Sequence, residues 1–449
     1  MAYEVKDRLY INIITYFITF ILKKSAMKEN LLQFIWKLQL LPLNNLISTS
    51  GQAIQIINLG IENLGEGPDF LQAKIEIENQ LWAGNIEIHI NSSDWYAHHH
   101  ETDMNYDAVI LHVVWEHDVQ IFRKNNEIVA TKKKKNLISK ELLQKFQQLF
   151  DKNKKWINCE KDIHTIQPFV FKNWLERLYF ERLEGKSVLF DAILNKTKKD
   201  WEQTLFILLS KNFGSKINGA SFLTMASSFN FSVLRKVSHN LVSIEALLLG
   251  QAGLLEVMHE SNYFKELKKE HEYLCVKFKL HPINKGQVQF FRLRPPNFPT
   301  IRLSQLAVLY HTHQSVFSKF IEMSSVEEYY TFFEISTTEY WETHFTFDKE
   351  SKKSKKKLTK SFVDLLLMNT IIPLKFMYLK SNGISDYGEI ITLIEQLKPE
   401  QNSIIEHFGA LKIKAENAFE SQGLIQLKNE YCSKQRCLHC AVGKELLKN

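Results

Sequence analysis

From Met27 onward, Leu31, Ile35 and Leu38, with Leu32 and Trp36 beside them, recur at three- and four-residue spacing and predict a helix. Strand patterns follow. Residues 53–59 are a short apolar run, and in 73–78 Ile75 and Ile77 alternate with Lys74, Glu76 and Glu78. In 82–90, Trp82, Gly84, Ile86, Ile88 and Ile90 point one way while Asn85, Glu87 and His89 point the other. Ser92 and Ser93 are N-cap residues ahead of Asp94, so a helix should open over 92–100. Residues 109–115 are almost continuously apolar, as in a strand buried on both faces. The order is helix, three strands, helix, strand.

Beyond residue 132 the period changes. The basic run 132–135 reads as a solvated linker, and helical spacing then dominates over 137–150, 169–190, 201–209, 242–258, 303–310, 362–378 and 389–397. A second basic cluster at 349–360 reads as an exposed loop. No repeat of fixed period is visible. The predicted plan is a mixed-sheet α/β domain over 27–150, then a mostly helical region over 151–449 that ends in a cysteine cluster.

Composition changes this picture little. A chain of 449 residues that is 45% hydrophobic and 24% charged, with 9 Pro and 16 Gly, is neither low-complexity nor disordered. The net charge of +7 permits an anionic partner without demanding one. Five cysteines are too few for a disulfide-stapled secreted scaffold, so a cytoplasmic protein is expected. Residues 1–26 form an N-terminal extension whose apolar run, 9–22, is shorter than the roughly 20 residues a membrane span needs and lacks a cleavage site. Met27 reads as the start, with a short membrane anchor as the alternative. No later run is long and apolar enough to span, so no stable membrane insertion is expected.

Candidate chemistry concentrates between Gly65 and His117. Gly67 and Pro68 make a turn that delivers Asp69 to the start of a strand, and Glu87 and His89 share one face of the next. Two carboxylates on adjacent strands can hold a divalent cation such as Mg²⁺ or Mn²⁺. Downstream, three consecutive histidines, His98, His99 and His100, could supply two metal ligands with Asp103 as a third. Alternatively, His98 and His100 form a polar helix end that positions substrate. His112, inside the apolar strand, reads as a satisfied core histidine. Glu29 or Gln33 on the first helix could add a further polar group.

Two more segments stand out. Arg292, Arg294 and Arg302 surround a proline-stiffened turn and could contact phosphates, with Phe290, Phe291 and Phe298 as stacking faces. The other possibility is a rigid connector in which Thr300 caps a helix starting near Leu303. Trp341 and His344 read as packing residues. Cys432, Cys437 and Cys440, spaced CxxxxCxxC, suit an iron–sulfur cluster or zinc. Cys159 is the natural fourth ligand, because Cys275 sits in an apolar stretch; His439 is the alternative.

The motif PD…ExH and the order of elements resemble the PD-(D/E)xK nuclease superfamily. The resemblance implies a restriction-endonuclease-like fold, Asp69 and Glu87 as metal ligands, Ile88 as a main-chain ligand and His89 where that superfamily has lysine. Histidine is a weaker cation near neutrality and is itself a metal ligand. The remote cysteine and C-terminal trio are similar to the iron–sulfur staple of some of those nucleases, though spacing and order differ. GPDF, WAGNIEIH, SSDW, VILHVV, RPPNFPTIRL and YC…RCLHC together resemble an uncharacterised bacterial family, domain of unknown function 2851, from about Met27 to the C-terminus. That resemblance implies no activity. The expectation is a metal-dependent nuclease-like phosphodiesterase acting on DNA or RNA. The alternatives are a non-catalytic nucleic-acid-binding or adaptor protein and, more remotely, a hydrolase for another substrate.

Overall fold

The computed structural model describes residues 28–40, 46–133, 139–151, 155–284, 286–347 and 349–448. The extension over 1–26 and residues 134–135 of the first basic run lie outside them. The chain divides into two compact units, one made of residues 1–171 with 428–449 and the other of 172–427. The boundary expected at residue 150 thus falls near 171. The cysteine cluster, expected with the helical region, belongs to the first unit, within electrostatic range of Cys159.

The first unit is built on a mixed seven-stranded sheet. Helix α1 (Glu29–Lys37) buries Leu31, Leu32, Phe34, Ile35 and Trp36, as its spacing predicts. The strands are β1 (Leu46–Ile47), β2 (Ala53–Asn58), β3 (Ile61–Glu62), β4 (Phe70–Ile77), β5 (Gln80–Asn91), β6 (Val109–Glu116) and β7 (Thr131–Lys133). Their order is β1-β2-β4-β5-β6-β7, with β3 also pairing with β4. Pairing is antiparallel up to β4–β5 and parallel for β5–β6 and β6–β7. Gly84 lets β6 approach β5 closely, since a Cβ there would lie 2.4 Å from the Ala108 carbonyl oxygen.

Between β5 and β6 the expected helix shortens to α2 (Asp94–Ala97). Ser92 and Ser93 do not cap it; both hydroxyls donate to Asp118 instead, at 2.9 and 2.7 Å. Trp95, Tyr106, Val109, Ile121 and Val129 form a small apolar core there. Helix α3 (Lys140–Leu149) follows β7.

The second unit is helical, as expected. It takes in the 29-residue helix α4 (Pro168–Lys196) from Lys172 onward and encloses a large apolar core. One helix, Lys360–Ser381, has the length and apolarity of a membrane span, which the sequence reading missed because Asn369 and Lys375 interrupt the run. Leu366, Leu367, Ile371, Ile372 and Leu374 on it are buried inside the unit. The cluster over 349–360 is mostly irregular, but Lys356 is buried and donates to the Trp341 and Glu342 carbonyls. Cys275 lies on the helix Asn262–Phe278 rather than in an extended stretch. Helix Pro299–Thr312 starts at Pro299, and the Thr300 hydroxyl, instead of capping it, donates to the Phe345 carbonyl at 2.6 Å.

Candidate metal centre

The turn before β4 sets the site. Gly67 takes φ +96°, a backbone conformation open to glycine, and the Asn63 amide donates to the Glu66 and Pro68 carbonyls at 2.9 and 3.0 Å. Phe70 pairs with Ile86 across β4 and β5, so Asp69 stands beside Glu87. The Asp69 amide donates to Glu87 Oε2 at 3.1 Å, and the Ile88 amide donates to Asp69 Oδ2 at 2.9 Å. From α1, Gln33 donates to Asp69 Oδ1 at 2.8 Å, so it is Gln33 that supplies the helical polar contact. Glu29 lies close enough to Asp69 for their charges to interact.

The expected two-acid geometry therefore forms, but in a buried setting. Glu87 is 4% exposed and His89 is 0%. A half-solvated strand face is excluded, because α2 and the loop after it cover these side chains. Burial raises the pKa of Glu87, and burial plus the neighbouring Glu87 charge raises that of Asp69. Glu29 is pushed up to about 7, by burial and then by the charge of Asp69. Three acids crowded this way hold negative charge only at a cost.

Four histidines meet the free oxygen of Glu87 or one another. His89 Nε2 lies 3.3 Å and His100 Nε2 3.5 Å from Glu87 Oε1. His98 Nδ1 lies 3.2 Å from His89 Nε2, while His89 Nδ1 meets His112 Nε2 at 2.9 Å. His112, paired with His89 on a single ring nitrogen, supports the site instead of sitting in the core alone. His99 takes φ +60°, which turns the chain so that its two neighbours return to the pocket while His99 stays exposed. His100 also stacks on Tyr106, with ring centroids 3.7 Å apart. Burial, then the neighbouring imidazoles, pushes His89 down to about 2. It is therefore neutral and cannot be the cation that a lysine would provide.

Asp103 is not part of this group; its carboxylate accepts from the Asn105 amide at 2.9 Å and is exposed. The carboxylate beside the histidines is Glu87. Among the described residues, His89, His98 and His100 bring ligand nitrogens within 4.8 Å of one another. His100 Nε2 is buried without a hydrogen-bond partner. An orphaned imidazole nitrogen facing a carboxylate oxygen fits a divalent cation. The run HHH carried the signal for this group, and the side that each ring faces was not readable from spacing.

The other candidates fare differently. Arg302 is a correction: it is buried, donates to Gln305 at 2.9 Å and Asn297 at 2.6 Å, and lies 3.6 Å over the Phe362 ring, so it is unavailable to phosphate. Arg292 and Arg294 are exposed in the second unit. Trp341 is fully buried, as a packing residue should be. In the first unit, Cys159 and Cys440 are buried and Cys432 and Cys437 partly so, none of them in a disulfide. Burial, and then the other three sulfurs, raises the pKa of Cys159. The Asn158 amide donates to Cys437 Sγ at 3.4 Å across 279 positions of sequence.

Fold and site together define an α+β protein whose mixed sheet carries a buried acid–histidine cluster. The chain belongs to the family described as Protein of unknown function (DUF2851), matching it over residues 29–403. The match includes Asp69, Glu87 and the histidines and stops short of Cys432, Cys437 and Cys440. No curated protein and no solved structure matches the chain.

Proposed function

We propose that the protein is a metal-dependent, nuclease-like phosphodiesterase acting on DNA or RNA, with Asp69, Glu87 and His89 at its working site and a restriction-endonuclease-like first unit. The single observation that supports this most is the pair Asp69–Glu87. Two acids from adjacent strands are buried together, with too few donors to neutralise them. A divalent cation attracted there would polarise a phosphoryl oxygen and ease deprotonation of water. Glu87 presents Oε1 to the pocket, Asp69 is held by Gln33 and the Ile88 amide, and His89 is fixed by His112. His98, exposed at the rim, is placed to meet substrate, and Arg292 and Arg294 are available to phosphates. The test incubates the full chain with labelled DNA and RNA plus Mg²⁺ or Mn²⁺. Cleavage is expected from wild type; equal behaviour of Asp69→Ala and Glu87→Ala would remove the enzymatic reading.

One observation favours a second reading, a nucleic-acid-binding or adaptor protein that has left chemistry. A neutral His89 stands where the resembled nucleases place a lysine, so the pocket lacks that cation. Salt-dependent binding of nucleic acid that survives loss of both acids would select it.

The reading extends to Cys159, Cys432, Cys437 and Cys440 as ligands of a second, structural centre, an iron–sulfur cluster or zinc. Four thiols gathered from both ends of the first unit suit a soft metal. Protein purified without oxygen should carry iron–sulfur absorption or stoichiometric zinc, and protein with neither would discard the centre.

A further inference from the structure

We propose that the ion of the acid–histidine pocket is a transition-metal dication of the manganese, iron or zinc class, held by Glu87 Oε1, His89 Nε2, His98 Nδ1 and His100 Nε2. The inference rests on the reading that this pocket is the working site, and it adds which ion is taken and through which atoms.

Three of the donor pairs have the spacing of one coordination shell. The oxygen of Glu87 lies 3.3 and 3.5 Å from the nitrogens of His89 and His100, and His98 lies 3.2 Å from His89. Ligands bound at about 2.0–2.1 Å to a tetrahedral ion stand roughly 3.3 Å apart. The three imidazoles therefore stand within reach of a single ion, and Glu87 faces two of them. One of the donors is also uncommitted. His100 is 9% exposed, and its Nε2 has no hydrogen-bond partner. The other nitrogen of His89 is taken by His112, which is how a ligating imidazole is oriented from behind.

Asp69 holds Glu87 in place. Its two oxygens accept from Gln33 and from the Ile88 amide, and its own amide donates to Glu87 Oε2. Asp69 thus aims Glu87 and keeps acceptor capacity of its own beside a donor set of three imidazoles and the Glu87 carboxylate. Magnesium prefers oxygen ligands and retained water, whereas imidazole suits the later dications.

Titrating metal-free, full-length protein with Mn²⁺ and recording pulsed electron paramagnetic resonance tests this. Manganese is the probe because it disfavours the thiols of Cys159, Cys432, Cys437 and Cys440. The expected result is one bound ion with imidazole nitrogen couplings, resisting Mg²⁺ at about 100-fold excess. His98→Ala, at an exposed position that should leave the fold intact, should remove a nitrogen coupling and weaken Mn²⁺ about 10-fold or more. Binding without nitrogen couplings, displacement by equimolar Mg²⁺, or unchanged affinity in both His98→Ala and His100→Ala would overturn the assignment. Nitrogen-coupled Mn²⁺ in a protein that cuts no nucleic acid would uphold the assignment and remove the phosphodiesterase reading. Cleavage supported by Mg²⁺ and indifferent to His98→Ala would do the reverse.

Discussion

Each unit buries a glutamate, and the two are treated in opposite ways. Glu245, in the second unit, is 1% exposed and is surrounded by neutral donors. Trp341 Nε1 donates to it at 2.7 Å, Thr338 at 3.1 Å, and Tyr263 and Ser304 also hydrogen-bond to it. Glu87, buried nearly as deeply, receives one backbone amide and otherwise faces imidazole nitrogens and a second acid. Burial raises the pKa of both. The difference is what answers the charge. Glu245 is saturated by fixed hydrogen bonds and ties helices together, whereas Glu87 is left wanting a cation. Depth of burial alone does not distinguish these two acids; the inventory of donors does.

The sharpest way to break the comparison is to exchange what each acid loses. Glu87→Gln should cut metal-dependent cleavage by about 10³-fold, the several kcal/mol that a bound cation contributes, while the melting temperature of metal-free protein holds or rises. Cleavage assays beside calorimetry would read both. Glu245→Ala should do the opposite: leaving Trp341, Tyr263 and Thr338 without their acceptor should cost about 3–4 kcal/mol in denaturant unfolding, with Mn²⁺ affinity unchanged. If Glu245→Ala proves neutral, the saturated-acid account of the second unit fails.

The pH dependence of stability is the next largest effect. Glu29, Asp69 and Glu87 all bind a proton more tightly folded than unfolded, so their contribution is fully present below the unfolded values, 4.5 for the glutamates and 3.8 for Asp69, and is lost as pH rises through the folded ones, about 7 for Glu29. His89 has the opposite sign: its folded value of about 2 lies below the unfolded 6.5, so stability is lost as pH falls below that. Metal-free protein should therefore lose several degrees of melting temperature on going from about pH 6.5 upward, and added Mn²⁺ should restore them. A flat profile would show that the acids are not strained in the absence of metal.

Two smaller effects concern the arginines. Arg302→Ala should destabilise the protein by about 2–3 kcal/mol, because it removes two charged hydrogen bonds and the stack on Phe362. Arg292→Ala and Arg294→Ala should leave stability within about 0.5 kcal/mol, and should lower the salt slope of nucleic-acid binding by about 1 each if these residues meet phosphates.

What the chain discloses before folding follows from the range of each interaction. The periodicity of residues 31–38 and the alternation of 82–90 are local, and they anticipated α1 and β5. Asp69 and Glu87 were legible as a pair because a turn and a strand register are short-range devices. The role of His100 was not, since it depends on a left-handed residue at His99 and on stacking against Tyr106. Arg302 misled for a related reason. An arginine beside prolines looks solvent-facing, and only the arrival of Phe362, sixty residues later, shows that it is buried. The short strands β1, β3 and β7 carry too few residues to show any period.

The first unit draws its final 22 residues, 428–449, from beyond the whole of the second. During synthesis, a ribosome that has delivered the sheet and the acid–histidine pocket must still translate 256 more residues, 172–427, before the last segment arrives. Until then Cys159 waits without Cys432, Cys437 and Cys440. A nascent chain that stops before residue 428 would therefore carry the acid–histidine pocket on an unfinished scaffold, without Cys432, Cys437 and Cys440.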